Sequence, residues 1–489
     1  MDISVIYEKM KQLNILLQEK VPVGLPFEVG EKKYFYDTAT NIIFECNDIE
    51  YIILNNILED KRKKCFEMIL DKTTVDKVDI ALDNLINLIQ EYGILNRFQY
   101  MECDNINEIR QSIDTKLIRL SIEVTQKCNL KCGYCITNNK ISYRNDMSKE
   151  TAFKAMEYAL LHSIDSEELT IGFFGGEPLL RFDLILACIE YVMERAEGRK
   201  VSFAITTNGT LITEEVARKL ASIENLTVSV SIDGPQNIHD VYRKNCFELG
   251  SYEQTLKGLH LLVNEFGDKA EESLILSLVY TPPYSIDKLE SIRRFFDQLE
   301  WIPPKIRKNI AYPVPESILQ ILEYSQQQYA NIDELREDSS LIDWSIQQYQ
   351  SNKQLATISI ESEYTRIKNR EIFIKSNAAM KMNGCCIPGQ SIYVLQDGHF
   401  GICERCNEIT IGNLELGVDY KKIQRLFFED YIKKSFEKCS NCWLARLCNI
   451  CYSKCYNCEG INIQKKERSC ERLKREMKKV IISYVGGLS

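Results

Sequence analysis

The sequence predicts an α/β fold: a parallel sheet with helices outside, with additions at both ends. Three observations lead there. Between residues 116 and 280 short apolar runs alternate with amphipathic helical patterns, which pack best as parallel strands joined by helical crossovers. The first four of these runs lead straight into unusual loops, and parallel sheets place their chemistry at the C-terminal ends of strands. Finally, eleven of the nineteen cysteines fall between Cys385 and Cys470, too many for an ordinary helical tail.

The bulk numbers bound the rest. A chain of 489 residues is expected to form two or three domains. A net charge of −9 and a pI near 5.4 give no general electrostatic reason to bind nucleic acid or an anionic membrane. There is no run of eighteen apolar residues and no signal-peptide pattern, so a cytoplasmic protein is expected. In a reducing compartment clustered thiols read as metal ligands rather than disulfides. With only four histidines, the ligands would be nearly all sulfur, which selects zinc or iron–sulfur clusters.

Taken in order, residues 1–100 open with an amphipathic helix. Next, "FEVGEKKYFYDTATNIIFECND" holds two short alternating stretches around "DTATN", read as small strands. Helical patterns follow over roughly 49–60, 62–71 and 74–91, the last ending at Gly93, and "ILNRFQY" could return as a strand. Strands with three helices in this length suggest a winged-helix-like unit. Residues 101–115 are polar and weakly periodic and read as a linker. The expected strands of the core, 116–312, are 117–125, 168–176, 200–209, 226–234 and 274–280, with helices such as 148–163, 213–223 and 285–299 between them. Residues 313–380 form a helical bridge, 381–475 a cysteine-rich domain, and 476–489 a closing helix and tail.

The first strand runs into "VTQKCNLKCGYCI", which places Cys128, Cys132 and Cys135 within eight residues. Three thiolates leave a tetrahedral site one ligand short. A four-iron cluster held this way keeps one iron open to a small molecule. Taken alone the triad also fits a zinc half-site or plain buried thiols. The second strand leads to "FFGGEP", the third to "TNGT" and the fourth to "SIDGP". This ordered set resembles the radical S-adenosylmethionine (SAM) superfamily, in which an aromatic residue, here Tyr134, precedes the third cysteine. The resemblance implies a partial (β/α)6 TIM-like barrel with a SAM-binding [4Fe-4S] cluster on Cys128, Cys132 and Cys135. It also implies cleavage of SAM to a 5′-deoxyadenosyl radical that abstracts hydrogen from an unactivated C–H bond. By the same resemblance Gly175, Gly176, Glu177 and Pro178 contact the methionine moiety, with Glu177 accepting from its ammonium. Thr207, Asn208 and Ser231 lie near the ribose and sulfonium, and Arg243 pairs with the SAM carboxylate.

The second cysteine set runs Cys386-x11-Gly398-x4-Cys403, then Cys439-x2-Cys442-x5-Cys448-x2-Cys451, and later Cys470. Paired Cys-x2-Cys knuckles also suit a zinc ribbon. The order resembles the SPASM domain of peptide-modifying radical SAM enzymes, which implies two auxiliary [4Fe-4S] clusters. One would take Cys439, Cys442, Cys448 and Cys470. The other would take Cys386, Cys403 and Cys451, with a fourth ligand open among Cys385, Cys406 and Cys455. The final Cys-x2-Cys step, where the family has x3, leaves Cys451 and Cys455 as alternatives. Cys46, Cys65, Cys103, Cys188 and Cys246 are isolated and read as small buried hydrophobes.

A winged-helix-like start before such a body resembles the maturases of ribosomally made and post-translationally modified peptides (RiPPs), whose recognition element takes up a leader peptide as an added strand. The likeness is to sactipeptide- and ranthipeptide-type enzymes. It implies a precursor-peptide partner, an external reductant such as flavodoxin or ferredoxin, and a cysteine thioether cross-link. Alternatives are a sulfatase-maturating-like enzyme with another protein target, a carbon–carbon cross-link or epimerisation, and a non-enzymatic zinc or iron–sulfur module, in which the GGEP and TNG loops would have no purpose.

Overall fold

A computed structural model describes residues 3–17, 22–59, 69, 73–96, 106–135, 144–282, 284–313, 340–351, 354–374, 388–404, 406–457 and 460–487. The chain divides into two compact units. One combines Met1–Asp104, Ser362–Cys385 and Leu426–Ser489, and the other Asn105–Glu361 and Cys386–Arg425. The segment expected as one cysteine-rich domain thus contributes to both.

The first unit begins with α1 (Ile3–Leu16), then β1 (Gly24–Val29), β2 (Lys32–Asp37) and β3 (Ile42–Cys46) in an antiparallel sheet of that order. The sequence reading expected only the two strands flanking "DTATN". β1 is a third, joined to β2 by a two-residue turn that Gly30 makes with a φ of 58°. α2 (Asp48–Leu58) starts with a capping box: Asn47 accepts from the Ile49 and Glu50 amides, and Glu50 accepts from the Asn47 amide. α3 (Val75–Tyr92) ends at Gly93 in the left-handed conformation, as its sequence predicts. Ile6, Leu13, Phe35, Ile53, Leu54, Leu82 and Leu85 meet in one buried core. The expected helix 62–71 lies almost wholly outside the described residues. Of "ILNRFQY", Ile94 and Leu95 form a turn and 97–100 lie outside them.

The β2–β3 turn also holds the C-terminal part of this unit. Asp37 is buried and accepts from the Thr40 amide and hydroxyl at 2.8 and 2.6 Å and from the Leu95 amide at 2.8 Å. The turn so shaped meets the segment between Cys442 and Cys448: Thr38 Oγ1 donates to the Trp443 carbonyl at 2.9 Å, and Arg446 Nε donates to the Thr38 and Ala39 carbonyls. The C-terminal helix (Ile463–Gly486) packs against β1.

The second unit holds a ten-stranded sheet. Its six parallel strands are β4 (Arg119–Thr125), β5 (Leu169–Gly175), β6 (Val201–Thr207), β7 (Leu226–Ser231), β8 (Leu274–Val279) and β9 (Arg307–Ala311), paired in sequence order. Helices Lys149–Leu161, Phe182–Arg195, Glu214–Ala221, Tyr252–Phe266 and Ile286–Gln298 lie between them in sequence. This is a partial-barrel arrangement, with six parallel strands and five helical crossovers. β4 is buried along nearly its whole length, as expected for a strand covered on both faces.

Two features differ from expectation. The segment read as a linker is helical over Ile106–Thr115, with Ile113 buried. And β10 (Ser391–Val394) adds to the free edge of β4 in parallel, followed by β11 (His399–Cys403), β12 (Cys406–Asn413) and β13 (Gly417–Val418) in antiparallel order. Half of the helical bridge 313–380 lies outside the described residues; of the rest, Ser340–Gln350 and Gln354–Lys368 are helical, as expected. Among the described residues no helix is long and apolar enough to cross a membrane.

Candidate functional site

The loop that follows β4 carries Cys128, Cys132 and Cys135, all half-buried. Neighbouring backbone fixes its path. The Lys131 amide donates to the Lys244 carbonyl at 2.6 Å, the Gly133 amide to the Tyr242 carbonyl at 2.9 Å, and the Cys135 amide to the Cys132 carbonyl at 3.0 Å. The β5 loop holds the other side: the Gly176 amide donates to the Thr125 carbonyl and the Glu177 amide to the Lys127 carbonyl, both at 2.8 Å. A Cβ on Gly175 would sit 2.1 Å from the Thr125 carbonyl oxygen, and one on Gly176 2.1 Å from that of Lys127. The two glycines are therefore the condition for the β5 loop to touch the cysteine loop backbone to backbone.

Glu177 is 1% exposed. Its Oε1 accepts from Thr207 Oγ1 at 2.7 Å and the Leu179 amide at 3.0 Å, and its Oε2 accepts from the Asn208 amide at 2.7 Å. Burial pushes its pKa up to about 7, against the pull of the Asn208, Thr207 and Leu179 hydrogen bonds and the Arg243 charge. Glu177 thus ties the end of β5 to the end of β6, and caps the short turn that begins at Pro178. Asn208 carries the linkage onward. Its Nδ2 donates to Asn129 Oδ1 at 2.9 Å and lies 3.9 Å from Cys128 Sγ, while Asn129 Nδ2 donates to Thr210 Oγ1. Ser231 is half-buried at the C-terminal end of β7.

Arg243 is buried and gives two donors to Asp233, Nε to Oδ2 at 2.9 Å and Nη2 to Oδ1 at 3.2 Å. The Tyr134 hydroxyl donates to the same Oδ2 at 2.6 Å, and the guanidinium lies over the Tyr134 ring, 5.4 Å from its centre. Burial acts to raise the Asp233 pKa, but the Arg243 charge and hydrogen bonds outweigh it and hold the carboxylate below its ordinary range. The residue before the third cysteine is thus anchored through Asp233, the aspartate of "SIDGP", whose role no local pattern indicates. His239 was missed outright. It is fully buried, its pKa is lowered to about 4 by burial and by the Arg243 charge, its Nδ1 accepts from the Asp233 amide, and its Nε2 lies 3.1 Å from Ser251 Oγ. Its only sequence signal is its place in "IHDVYR".

Burial pushes the Cys128 thiol up to about 11 and the Cys132 thiol up to about 12. Loading a metal centre would therefore release protons from this loop. Cys128, Cys132 and Cys135 share one loop, and their all-sulfur chemistry suits an iron–sulfur cluster.

A second group lies in the first unit. Cys439 ends the helix Lys434–Cys439, Cys442 follows in a turn, Cys448 follows the short helix Ala445–Leu447, and Cys470 lies in the C-terminal helix. Burial raises the thiol pKa values of Cys442, Cys448 and Cys470, the last to about 12, and Cys470 feels the charges of Cys448, Cys439 and Cys442. These are the four that the SPASM resemblance groups on one cluster. Cys451 is half-buried near fully buried Cys455, whose Sγ lies 3.8 Å from the Cys451 carbonyl. In the second unit Cys403 and Cys406 are register partners across β11 and β12. Cys385 and Cys386 lie outside the described residues, as do Cys65 and Cys103. Cys46 and Cys188 are buried as expected, but Cys246 is exposed, because it sits in the turn between Lys244 and Gly250 with nothing packed over it.

Among the described residues no three His, Cys, Asp or Glu side chains gather on a single metal ion. One tetrahedral ion draws its thiolates to about 3.8 Å of one another, given a metal–sulfur distance near 2.3 Å. A four-iron cluster takes one thiolate per iron and spreads them further apart.

An open three-thiolate loop on the C-terminal rim of a parallel β/α partial barrel defines a class of cofactor site. Residues 122–296 match the Radical SAM superfamily, and this chain carries a radical SAM domain. It is 34% identical over 140 residues to a serine-type anaerobic sulfatase-maturating enzyme of Bacteroides thetaiotaomicron, covering 28% of this chain and 34% of that protein. It is 30% identical over 202 residues to the radical SAM cyclopropyl synthase TigE of Paramaledivibacter caminithermalis, covering 37% of this chain and 41% of that protein. The chain thus spans less than half the length of these curated relatives. In fold it resembles a solved structure of anSMEcpe with bound AdoMet and Kp18Cys peptide, with a TM-score of 0.55, 19% identity, and coverage of 74% of this chain and 98% of that one.

Proposed function

We propose that this chain is a radical SAM peptide maturase that forms a cysteine thioether cross-link in a ribosomally made precursor peptide. The observation that carries the proposal is the three-thiol loop on the barrel rim, clasped by the Gly175–Gly176 and Thr207–Asn208 loops. When bound, the cluster and SAM supply a 5′-deoxyadenosyl radical that takes a hydrogen atom from the peptide. The chain's own residues position and shield that chemistry. Cys128, Cys132 and Cys135 hold the catalytic cluster. Gly175, Gly176, Glu177 and Pro178 shape the methionine site, and Glu177 has acceptor capacity left on Oε2. Thr207, Asn208 and Ser231 border the nucleoside, and Arg243, steadied by Asp233, keeps one nitrogen for a carboxylate. Cys439, Cys442, Cys448 and Cys470 hold one auxiliary [4Fe-4S] cluster. The SPASM resemblance implies a second auxiliary [4Fe-4S] cluster on the remaining cysteines of that pattern. The first hundred residues take the leader peptide, and a flavodoxin or ferredoxin supplies electrons.

A sulfatase-maturating-like activity on a protein target is the second reading, favoured by the likeness to the Bacteroides enzyme. The test is anaerobic reconstitution, reduction with dithionite, and assay of SAM conversion to 5′-deoxyadenosine with candidate peptides. A thioether product is about 2 Da lighter than its substrate, the mass of two hydrogens lost, and its cysteine resists alkylation. Epimerisation leaves the mass unchanged, and no 5′-deoxyadenosine at all overturns both readings.

A further inference from the structure

The group of Cys439, Cys442, Cys448 and Cys470 has a cation built into it. Lys466 lies one turn before Cys470 in the C-terminal helix, so the two share a face. It is 5% exposed. Its Nζ lies 3.6 Å from Cys439 Sγ, within N–H···S hydrogen-bonding range, and 4.2 Å from the centre of the Tyr431 ring. Two nearby lysines already have carboxylate partners: Lys438 pairs with Glu467, and Lys474 with Glu471 at 2.9 Å. Among the described residues Lys466 pairs with no carboxylate. A buried ammonium facing a neutral thiol and an aromatic ring is costly, because neither replaces the water it has lost. The same ammonium facing an anion is stabilising.

We propose that Lys466 is the buried counter-cation of the cluster held by Cys439, Cys442, Cys448 and Cys470 and sets its reduction potential. The proposal rests on the reading of these four residues as cluster ligands. A four-iron cube held by four thiolates is anionic, and one-electron reduction adds a further negative charge. A fixed cation in hydrogen-bond contact with one ligand sulfur stabilises the reduced form more than the oxidised form, which raises the potential. Lys466 touches a ligand and not the reacting atoms. It is therefore a positioning and tuning residue.

The experiment is an EPR-monitored redox titration of the reconstituted full-length chain carrying Cys128→Ala, Cys132→Ala and Cys135→Ala, which removes the signal of the catalytic cluster. The auxiliary signal that disappears in Cys470→Ser is the one followed. With Lys466→Met its reduction equilibrium constant should fall tenfold or more, a downward shift of at least about 59 mV for one electron. Lys466→Arg should restore the potential, and Lys434→Met, an exposed lysine already paired with Asp430, should leave it in place. If Lys466→Met sheds iron, Lys466→Gln decides, since it keeps an N–H donor without the charge; it should hold iron and show the lowered potential. Iron loss in both variants, or an unmoved potential with full iron, overturns the role of Lys466. If no signal depends on Cys470 at all, the ligand reading itself fails.

Discussion

The two cysteine groups are built by opposite means. Cys128, Cys132 and Cys135 lie on one loop of the second unit, and their geometry is completed by other loops that supply no thiol: the Gly176 and Glu177 amides, Asn208 and Asp233. Cys439, Cys442, Cys448 and Cys470 lie in the first unit, where three come from one short segment and the fourth from a helix. The first group is local and leaves a corner open. The second is non-local and supplies a full set of four. A local triad can be held rigid by its neighbours while still offering a coordination place to a ligand. A quartet drawn from two elements exists only when the helix is docked, so a cluster held by it would also cross-link its unit. Openness suits chemistry, and closure suits stability and electron transfer.

The largest expected effect breaks the comparison outright. Cys128→Ala, Cys132→Ala and Cys135→Ala together should abolish 5′-deoxyadenosine formation and remove about a third of the iron of a three-cluster protein. Iron analysis and product chromatography check this, and unchanged iron would refute the assignment. Next, Cys470→Ser should remove a similar share of iron while SAM cleavage persists and peptide product is lost. The same variant should lower the thermal midpoint of the first unit more than the triad variant lowers that of the second. Equal shifts would show that the quartet does not cross-link its unit.

Two buried carboxylates sharpen the contrast through pH. Burial lifts Glu177 from 4.5 to about 7 and Asp37 from 3.8 to about 6. In each case the native acid keeps its proton to a higher pH than the unfolded one does. Stability from Glu177 is therefore complete below about 4.5 and is lost as pH rises through about 7, and that from Asp37 is complete below about 3.8 and lost through about 6. Each loss is on the order of 3 kcal/mol. Urea unfolding of the cluster-free protein between pH 4 and 8, monitored separately in each unit by hydrogen exchange, should show the first unit weakening at lower pH than the second. Glu177→Gln should flatten the fall in the second unit alone. The smallest effect is steric. Gly176→Ala sets a methyl against the Lys127 carbonyl and should cost about 1–3 kcal/mol. It should also lower SAM affinity, because the cysteine loop must shift; calorimetric titration with SAM measures that loss.

What could be read from the sequence follows the same division. The strand–helix rhythm, the four rim loops and the Cys128–Cys135 triad depend on contacts within a few residues, and each was legible because the pattern that encodes it is short. Gly93 closing its helix was legible for the same reason. The strand β1 was not, since "GLPFEV" is interrupted by a proline and becomes a strand only when paired with "KKYFYD". β10 was hidden likewise: "SIYV" is four residues long, and what makes it a strand is the unpaired edge of β4.

By itself the sequence determined the class of chemistry and the order of the rim loops, because residue type and spacing limit which metals and which backbone turns are possible. Only the tertiary structure decided how those residues are employed. It gave three hydrogen bonds to Glu177, committed two donors of Arg243 to Asp233, anchored Tyr134 on the same carboxylate, and set Lys466 against Cys439. Those partners lie between 2 and 99 residues apart in the chain. Partnership at the longer separations follows from which strand ends and helix faces meet, a matter of burial and packing across the whole unit that no local pattern encodes.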